Sequence, residues 1–502
     1  MQGYFHSALD TMRADSIWKV TLIKGPRILP DSITWVIPNK VQTIFVDIQM
    51  TNQRELNDWS KLEQYIESAL IIGENNGYPF VSVRPLSLLK TSDSTTTVQL
   101  ALEPGPSIFY DSLLVQSAQS VPVKYIERYL GIRKGATYNE SELQSLNLRL
   151  AEIPFLQSIR APEVSFWQQN ADIKVFVKRR GANYFNAILG IRPDDRTGKV
   201  QITGDVEVRL LNAINRGEEL EFTWRKMQTQ TQDLWIQAEV PYWFGSPVGT
   251  ETSLKIYKRD STFTDVKGRY GLLFQLERLN RISVFIDQQR ITNLSAFTNS
   301  NANFASSRMA LYGAKGRWSN LDYKLNPRKG YEIELEASSG RRNVSYQDEA
   351  AAAQSFAIFR YRWAISGYIP TWKAQTIKLG GLGQGILSPS LESAELLRFG
   401  GLRTMRGIDE ESINATQYLV GTVEYRWLFD RNSALYAFVD QGWYERQSTD
   451  IRASDWPRAF GAGVNLETKS GIFTFNYSLG QQQGNPIQIR SAKISFGFRN
   501  TF

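Results

Sequence analysis

The last two thirds of the chain alternate between apolar and polar side chains, which is the pattern of β-strands with one apolar face. In residues 219–225, a leucine and two aromatic side chains alternate with charged and hydroxyl side chains. Residues 331–336 repeat the pattern, with three glutamates on the polar face. About sixteen such segments follow residue 184, and charges confined to one face predict a barrel with an apolar outside and a wet interior.

The connections between these predicted strands alternate in length. If the first strand starts on the side of the N-terminal region, odd-numbered connections lie on the opposite side of the membrane. From the seventh connection onward, the long polar connections fall at odd positions, namely residues 292–307, 340–354, 385–415 and 445–456. The short connections fall at even positions, near residues 369–370, 429–432 and 468–471. A water-soluble sandwich has no reason to sort its loops by side, so the sorting favours a transmembrane barrel.

Helical periodicity occurs only before the predicted barrel. Residues 43–50 are predicted to form a strand, and residues 58–73 a helix with one apolar stripe that ends at a glycine. Residues 80–89 and 96–102 are predicted to form a hairpin. This order of strand, helix and two strands predicts a small α+β domain.

The same order of elements then repeats. Residues 123–130 are predicted to form a short helix, and Asn139 with Glu142 forms a capping box at the start of a longer helix. The predicted strands of this second unit are residues 107–115, 164–167 and 172–178. Two units with one order of elements indicate a tandem repeat.

A loop that contains glycine and arginine, within residues 396–408, precedes two alternating strands that each carry one acid. Glu424 and Asp440 lie on the polar faces of these strands, opposite the apolar faces. An arginine of the loop could therefore contact both acids through charge-assisted hydrogen bonds. Such a contact either only holds a lid in place or also governs folding and transport.

These residues resemble the signature of the superfamily of outer-membrane barrels for protein assembly and secretion, which includes the Bam and Tam assembly factors and the bacterial surface antigen family. The resemblance rests on Arg406-Gly407-Ile408, on Glu424 in Val-Glu-Tyr-Arg, and on Asp440 in Phe-Val-Asp-Gln-Gly. It implies that a loop folds into the barrel lumen and that Arg406 contacts Glu424 and Asp440. Ile408 replaces the usual Phe or Tyr, which weakens the aromatic part of this contact.

The resemblance also implies the architecture, a mainly β membrane protein. It implies two α+β POTRA domains in the periplasm, followed by a 16-stranded antiparallel transmembrane β-barrel in the Gram-negative outer membrane. The predicted boundaries are an N-terminal segment 1–17, POTRA-like domains 18–104 and 105–180, and a barrel 181–502. No basic head followed by an apolar run occurs near Met1, so we expect the sequence to start on a mature chain with an added methionine.

The first and last strands of the predicted barrel, residues 184–192 and 489–502, would close it at a seam. Gly190, Gly497 and Asn500 lower strand propensity and would weaken this seam. The last segment places four apolar side chains on one face and resembles the C-terminal recognition signal of bacterial outer-membrane barrels. Those side chains are Ile494, Phe496, Phe498 and Phe502.

The resemblance implies a factor that receives client proteins through its POTRA domains and inserts or translocates them at the seam. An alternative is a two-partner secretion transporter, which exports one partner protein through the lumen and often carries a helical plug. Residues 7–13 could form a short helix, but no convincing plug is present. A passive porin is less favoured because it has no need of the two repeats. The expected partners are client proteins, periplasmic or lipoprotein accessory subunits and the lipid bilayer.

Composition argues against other classes of protein. The chain has no cysteine and one histidine, His6, which excludes thiolate metal sites and leaves serine–histidine chemistry without support. Glu424 and Asp440 could be read as a glycosidase pair, but an adjacent arginine lowers carboxyl pKa values and disfavours a general acid. Lys and Arg are scattered among 50 acids although the net charge is +8, which argues against nucleic acid as a partner. We therefore expect no enzymatic activity, cofactor or metal.

Overall fold

The computed structural model describes the chain from residue 8 to residue 499 with several internal gaps. The described residues are 8–14, 17–23, 28–46, 58–193, 200–228, 231–259, 263–276, 280–294, 305–345, 354–448, 452–468 and 471–499. Contacts divide the chain into two compact units. The first comprises Met1–Gln116, Ile132–Asn147 and Ser158–Val177, and the second Ser117–Gly131, Leu148–Gln157 and Lys178–Phe502.

The N-terminal residues form a β-hairpin. Strand β1 (Ala8–Ala14) pairs antiparallel with β2 (Ile17–Ile23) in a two-stranded sheet. The short helix that we considered for residues 7–13 is therefore wrong for the part that the structure describes. A seven-residue pattern fits either period, and the partner strand supplies backbone hydrogen bonds that one isolated helical turn lacks.

The first α+β repeat contains a three-stranded sheet and one long helix. Its elements are β3 (Leu29–Val36), α1 (Trp59–Asn75), β4 (Ser82–Lys90) and β5 (Thr95–Glu103). In the sheet, β5 lies between β3 and β4, parallel to β3 and antiparallel to β4. Helix α1 begins where the Asp58 side chain accepts a hydrogen bond from the Ser60 N–H, and it buries Leu62 and Ala69 in the core with Leu100.

The strand predicted at residues 43–50 is wrong for residues 43–46. The chain turns there after a short 3₁₀ helix, Asn39–Val41. Val41 and Phe45 are both buried, four residues apart, which is a helical rather than an alternating spacing. The sheet instead takes its first strand from β3.

The second repeat has the same sheet order. Its elements are β6 (Phe109–Gln116), α2 (Val123–Leu130), α3 (Glu140–Ala151), β7 (Leu156–Trp167) and β8 (Asn170–Arg179). Strand β8 lies between β6 and β7 and runs parallel to β6. Gly131, at φ 77°, ends α2, and the Asn139 side chain accepts a hydrogen bond from the Glu142 N–H at 3.0 Å, as predicted. Helix α2 and residues 148–157 belong to the compact unit that contains the barrel.

The remaining strands include a closed antiparallel barrel. They are β9 (Tyr184–Pro193), β10 (Val200–Leu211), β11 (Glu219–Gln228), β12 (Thr231–Val240), β13 (Val248–Arg259), β14 (Phe263–Gln275), β15 (Arg281–Asn293), β16 (Ser306–Ser319), β17 (Gly330–Ser345), β18 (Gln354–Trp372), β19 (Gln375–Leu387), β20 (Leu397–Phe399), β21 (Ile413–Ala415), β22 (Gln417–Asp430), β23 (Ser433–Gln447), β24 (Arg452–Asp455), β25 (Arg458–Thr468), β26 (Gly471–Gln481) and β27 (Lys493–Arg499). Strands β20 and β21 form a separate small sheet, and β24 pairs only with the end of β23. The other described strands make a sixteen-stranded barrel that closes between β27 and β9.

The barrel wall has an apolar outer face. In β15, Ile282, Val284 and Ile286 are 38 to 46% exposed. Ser283, which lies between the first two, and Asp287, which follows the third, are each 1% exposed. This separation is the one that the sequence pattern predicted. None of the described helices is long and apolar enough to cross a membrane.

From β17 onward, the connections follow the predicted sorting. Before β17 they do not, because the odd-numbered connections 229–230 and 260–262 are short and the even-numbered connection 320–329 is longer. At even positions, β18 and β19 are joined by residues 373–374, and β22 and β23 by residues 431–432. The first of these turns lies a few residues beyond the predicted position at 369–370, because the paired strands continue to Trp372 and Gln375. At an odd position, residues 388–416 connect β19 to β22; we call this segment the lumen loop.

Candidate functional site

The two acids identified from the sequence lie on the inner face of the barrel wall. Val423 and Val439 face each other across β22 and β23 and are 55% and 57% exposed on the outer face. The side chains that alternate with them point inward: Glu424 is 5% exposed and Asp440 is 1% exposed. Two carboxylates are therefore buried next to each other on adjacent strands.

Arg406 of the lumen loop contacts both acids. Its Nε donates to Asp440 Oδ2 at 2.8 Å and its Nη2 to Asp440 Oδ1 at 2.7 Å, which is a two-pronged contact. Its Nη1 donates to Glu424 Oε2 at 2.6 Å. The Arg406 backbone N–H also donates to Asp440 Oδ2 at 3.3 Å, so the loop backbone is held as well as the side chain. The structure thus brings together the three residues that the sequence singled out.

Neighbouring side chains complete this contact. Thr422 lies opposite Asp440 on β22, and its hydroxyl donates to Asp440 Oδ1 at 2.8 Å. The Arg406 guanidinium carbon lies 3.4 Å from the centre of the Phe438 ring, a cation–π contact. On the far side of Glu424, Arg426 lies 3.4 Å from Oε1. The acids are thus engaged by cations and hydroxyl donors, an arrangement that suits structural anchoring.

The next two loop residues pack against the backbone of β26. Gly407 has φ 79°, and a β-carbon at this position would lie 2.8 Å from the carbonyl carbon of Leu479. A β-carbon on Gly480 would in turn collide with the Gly407 carbonyl group. Two glycines therefore allow the loop to contact the wall backbone to backbone. Ile408 is 6% exposed and lies beside Gly480.

The loop also reaches the last strand. Asp409 Oδ1 lies 2.6 Å from Lys493 Nζ at the start of β27. Both side chains are partly exposed, so this ion pair alone contributes little to stability. Four consecutive residues, 406–409, nevertheless contact β22, β23, β26 and β27, so the loop tip connects the interior wall to one side of the seam.

A second ion pair, which sequence reasoning missed, holds the start of the lumen loop. Arg342 on β17 donates to Glu395 through Nε and Nη2, both at 2.6 Å, and the two side chains are 0% and 1% exposed. The Arg342 guanidinium also donates to the carbonyl groups of Pro389 and Ser390 at 3.1 and 3.0 Å. Glu395 belongs to a capping box with Glu392, and this Glu-x-x-Glu spacing was the available signal.

Apolar packing adds to these ionic contacts. Phe399 of the loop is fully buried, and its ring stacks on Tyr418 with centroids 4.3 Å apart. Phe399 also meets Tyr444 edge-on at 5.6 Å. Sequence reasoning missed this cluster as well. The aromatic contribution that seemed weakened at Ile408 is therefore supplied nine residues earlier in the loop by Phe399.

The structure places the predicted seam residues in the closing strands. Gly190 lies in β9 opposite Thr203, and Gly497 lies in β27 opposite Thr474. Phe496 is 69% exposed on the outer face, and Phe498 is in register with Phe473. Asn500 and Phe502 lie outside the described residues. Their roles, and that of the loop contact in function, stay predictions.

The described part of β27, Lys493–Arg499, pairs with β26 over seven residues, from Ser478 to Ile472. Its neighbour across the closing boundary of the barrel is β9.

The lumen retains a cavity of about 510 Å³ between the wall and the loop. Charged side chains of both signs line it. Arg269, for example, contacts Asp287 at 2.7 Å and Glu336 at 2.6 Å. Among the described residues no group of acids or histidines is arranged to hold a metal ion.

Comparison with known proteins supports the fold. No protein-family model and no curated relative matches the sequence. Among solved structures, CdiB from Escherichia coli matches at 13% identity and a TM-score of 0.52. The match covers 94% of this chain and 90% of the CdiB chain. CdiB from Acinetobacter baumannii matches at 12% identity, 94% and 89% coverage and a TM-score of 0.48. BamA from Haemophilus ducreyi lacking POTRA domains 1–3 matches at 14% identity and a TM-score of 0.45, and the match covers 94% of this chain and 98% of that one. The match to the Escherichia coli protein supports the predicted fold, in which α+β domains precede a closed antiparallel β-barrel.

Proposed function

We propose that this chain is an outer-membrane protein that inserts client proteins at the boundary between β27 and β9, with its POTRA-like domains in the periplasm. The observation that carries this proposal is the lumen loop. Its tip is held to β22 and β23 by Arg406 and also reaches β26 and β27 through Gly407 and Asp409. The loop therefore links the interior of the barrel to the strand that has to move.

Insertion follows from the chemistry of a sheet edge. When β27 and β9 separate, each exposes a row of backbone N–H and C=O groups without partners. In lipid these groups are costly to leave unpaired, so an incoming client strand that pairs with them is strongly favoured. The client binds by adding a strand to the sheet, and further strands follow until a new barrel can close.

Export through the lumen is the second candidate. The charged cavity of about 510 Å³ favours it, because a polar interior can accommodate a hydrated polypeptide once the lumen loop is displaced. In this case the seam stays closed, and the Arg342 and Arg406 contacts break instead. The two candidates therefore differ in which contacts open.

A disulfide across the seam distinguishes the two candidate functions. Because the chain contains no cysteine, only the introduced pair can form a disulfide. A cysteine at Gly190 in β9 is combined in turn with a cysteine at each position of residues 493–499, and the pair that oxidises most completely is used. Insertion of a client barrel into proteoliposomes is then measured before and after reduction. We expect no insertion in the oxidised protein and recovery on reduction.

The control is a disulfide between Val423 and Val439, which are directly opposite each other on two strands that stay paired in either mechanism. This oxidised control should insert clients normally. If the oxidised seam variant retains full insertion activity, opening at the seam is refuted. If it still exports a partner protein, transport through the lumen is supported instead.

The proposal includes client proteins as partners, and periplasmic or lipoprotein accessory subunits as further ones. We also propose that the chain is not an enzyme. The buried acids of the lumen are held by arginines, which suits anchoring of the loop and disfavours proton transfer. Purifying partners from outer membranes with residues 1–180 as bait tests the first point.

A further inference from the structure

The turn between β12 and β13 presents an aromatic side chain to the outside in a strained conformation. Phe244 is 87% exposed, and its φ of 53° lies in the left-handed region. Bulky side chains rarely adopt this conformation, because the β-carbon then lies too close to the backbone. Gly245, the next residue, also has a positive φ of 74° and needs no side chain there. Because the Phe244 side chain is exposed, packing within the chain does not explain why a bulky residue occupies this strained position.

Several contacts enforce this conformation. The Tyr242 ring is buried and meets the Tyr125 ring of α2 edge-on at 5.5 Å. Arg128 of α2 donates through Nε to the Gly245 carbonyl group at 3.0 Å. The Trp243 indole N–H donates to Thr250 Oγ1 at 3.0 Å. One side of the turn is thus fixed to α2 and to β13, while Phe244 projects from the other.

A second turn lies beside it. In the connection between β10 and β11, Ile214 is 62% exposed. The guanidinium carbon of Arg216 in the same connection lies 5.3 Å from the centre of the Trp243 ring. Both connections fall at even positions, at the barrel end where Arg128 of α2 binds the Gly245 carbonyl group and Tyr125 of α2 lies against Gly217. We call the three residues Ile214, Trp243 and Phe244 of these two turns the apolar tip.

We propose that the apolar tip inserts into the headgroup region of the bilayer leaflet on the side of the POTRA-like domains. The apolar tip continues the outer face of the barrel: Val248 at the start of β13 pairs with Phe274, and Phe274 pairs with Ile282. Phe274 and Ile282 are 42% and 38% exposed on that lipid-facing surface. An apolar surface that extends a lipid-facing belt past the strand ends fits lipid rather than water.

The charges around the apolar tip agree with this assignment. Lys124 lies against Gly245, Arg128 binds the Gly245 carbonyl group, and Arg216 lies over Trp243. Three cations beside exposed apolar side chains suit a surface of anionic lipid phosphates. Because two of these cations belong to α2, lipid contact at the tip also fixes α2 near the membrane. This inference rests on the barrel spanning a bilayer but not on what the barrel transports.

Site-specific fluorescence tests the proposal. Phe244→Cys, the only cysteine of that variant, is labelled with an environment-sensitive NBD dye, and the full chain is reconstituted in vesicles of phosphatidylethanolamine and phosphatidylglycerol. We expect lipids with a headgroup nitroxide to quench the dye strongly and aqueous iodide to quench it weakly. Val423→Cys, on the outer face of the wall, is the lipid control, and Glu67→Cys, exposed on α1, is the aqueous control.

The controls separate failure of this inference from failure of the barrel assignment. If the dye at position 244 behaves like the dye at position 67 while the dye at 423 is quenched from the lipid, the apolar tip faces water or a protein, and the inference is overturned. If the dye at 423 also reports water, the chain does not span the bilayer as proposed.

A second variant guards against a change in folding. Phe244→Gly removes the ring and relieves the left-handed strain, so the detergent-solubilised protein should be at least as stable as the wild type. A dye at Ile214→Cys in this background should nevertheless become several-fold more accessible to iodide. Unchanged accessibility would show that Phe244 does not hold the tip in the lipid.

Discussion

Arg406 stabilises the lumen loop more than a surface ion pair would because both of its acids are nearly inaccessible to water. A buried carboxylate that loses its cation stays buried and unpaired, and this penalty exceeds the value of the pair itself. Asp440 has the most to lose, since it accepts two guanidinium hydrogen bonds, the Thr422 hydroxyl and the Arg406 backbone N–H.

Replacing Arg406 with alanine should therefore destabilise the barrel by about 3 to 5 kcal/mol. The measurement is the free energy of unfolding in urea, with the protein in lipid vesicles. Arg403→Ala is the matched control, since Arg403 is an exposed arginine of the same loop, and it should change the free energy by less than about 1 kcal/mol. Equal losses in the two variants would mean that water reaches Asp440 and Glu424.

Gly480→Ala should disturb the seam without touching an ion pair. The new methyl group would collide with the Gly407 carbonyl group, so the loop tip has to withdraw from β26. We expect faster hydrogen–deuterium exchange in β26 and β27, measured by mass spectrometry, with little change in β22. Gly367→Ala is the control, because a β-carbon there meets no atom within 4 Å. Identical exchange in both variants would disprove the backbone contact.

At the residue scale, the motif identified Arg406, Glu424 and Asp440, because charge and alternation are local properties of a sequence. The motif contains Phe438 but gave it no role, and it did not identify Thr422 or Gly480. The strand register determines which neutral side chain contacts the arginine. The path of the loop inside the barrel determines which glycine faces Gly407. Neither quantity is encoded by nearby residues.

At the element scale, the lumen loop is held at two places rather than one. The Arg342–Glu395 pair fixes its start and the Arg406 contacts fix its tip, with Phe399 packed between them. A loop of this length loses considerable conformational entropy when it is ordered, and several buried contacts offset that cost. Release at one place alone leaves most of the loop inside the barrel.

Arg342→Ala should release only the outer part of the loop. Glu395 then has no cation and the carbonyl groups of Pro389 and Ser390 lose their donor, so residues 388–396 should leave the wall. We expect a larger single-channel conductance in planar bilayers, with the Arg406 contact intact. Arg341→Ala is the control, because Arg341 is the exposed neighbour on the opposite face of β17. No rise in conductance over this control would show that the Arg342 pair does not limit the open area.

The elements with strong local signals were predicted well. Helix α2 and its ending glycine, the Asn139 cap, and the two acid-bearing strands all follow from short-range patterns. The turn at residues 43–46 was not predicted. The spacing of Val41, Ile44 and Phe45 suits a helical turn, but their β-branched and aromatic side chains are typical of a strand. Strand β1 and its pairing with β2 were also missed, since the stability of this hairpin depends on a partner strand rather than on the pattern of one segment, whereas the alternation of residues 18–23 does predict β2.

At the scale of the whole molecule, closure of the barrel links residues at least 300 positions apart, since β9 ends at Pro193 and β27 starts at Lys493. Alternation predicts each strand, and the sorting of connections predicts a membrane protein, but neither specifies the strength of the closing boundary. That strength depends on how many residue pairs the first and last strands share.

Gly497→Val should strengthen this boundary. Valine has a higher strand propensity than glycine by up to about 1 kcal/mol, and space is available, since the nearest atom to a β-carbon there is 3.7 Å away on Thr474. We expect slower hydrogen exchange in β27 and several-fold slower client insertion, with the barrel folded as before. Gly367→Val, in β18 and remote from the seam, provides the same substitution at an open site and should leave the insertion rate unchanged. Slower insertion in both variants would point to a general stiffening of the wall. Faster insertion in Gly497→Val would mean that separation of β27 from β9 does not limit the reaction, and the lumen route would then be the better account of transport.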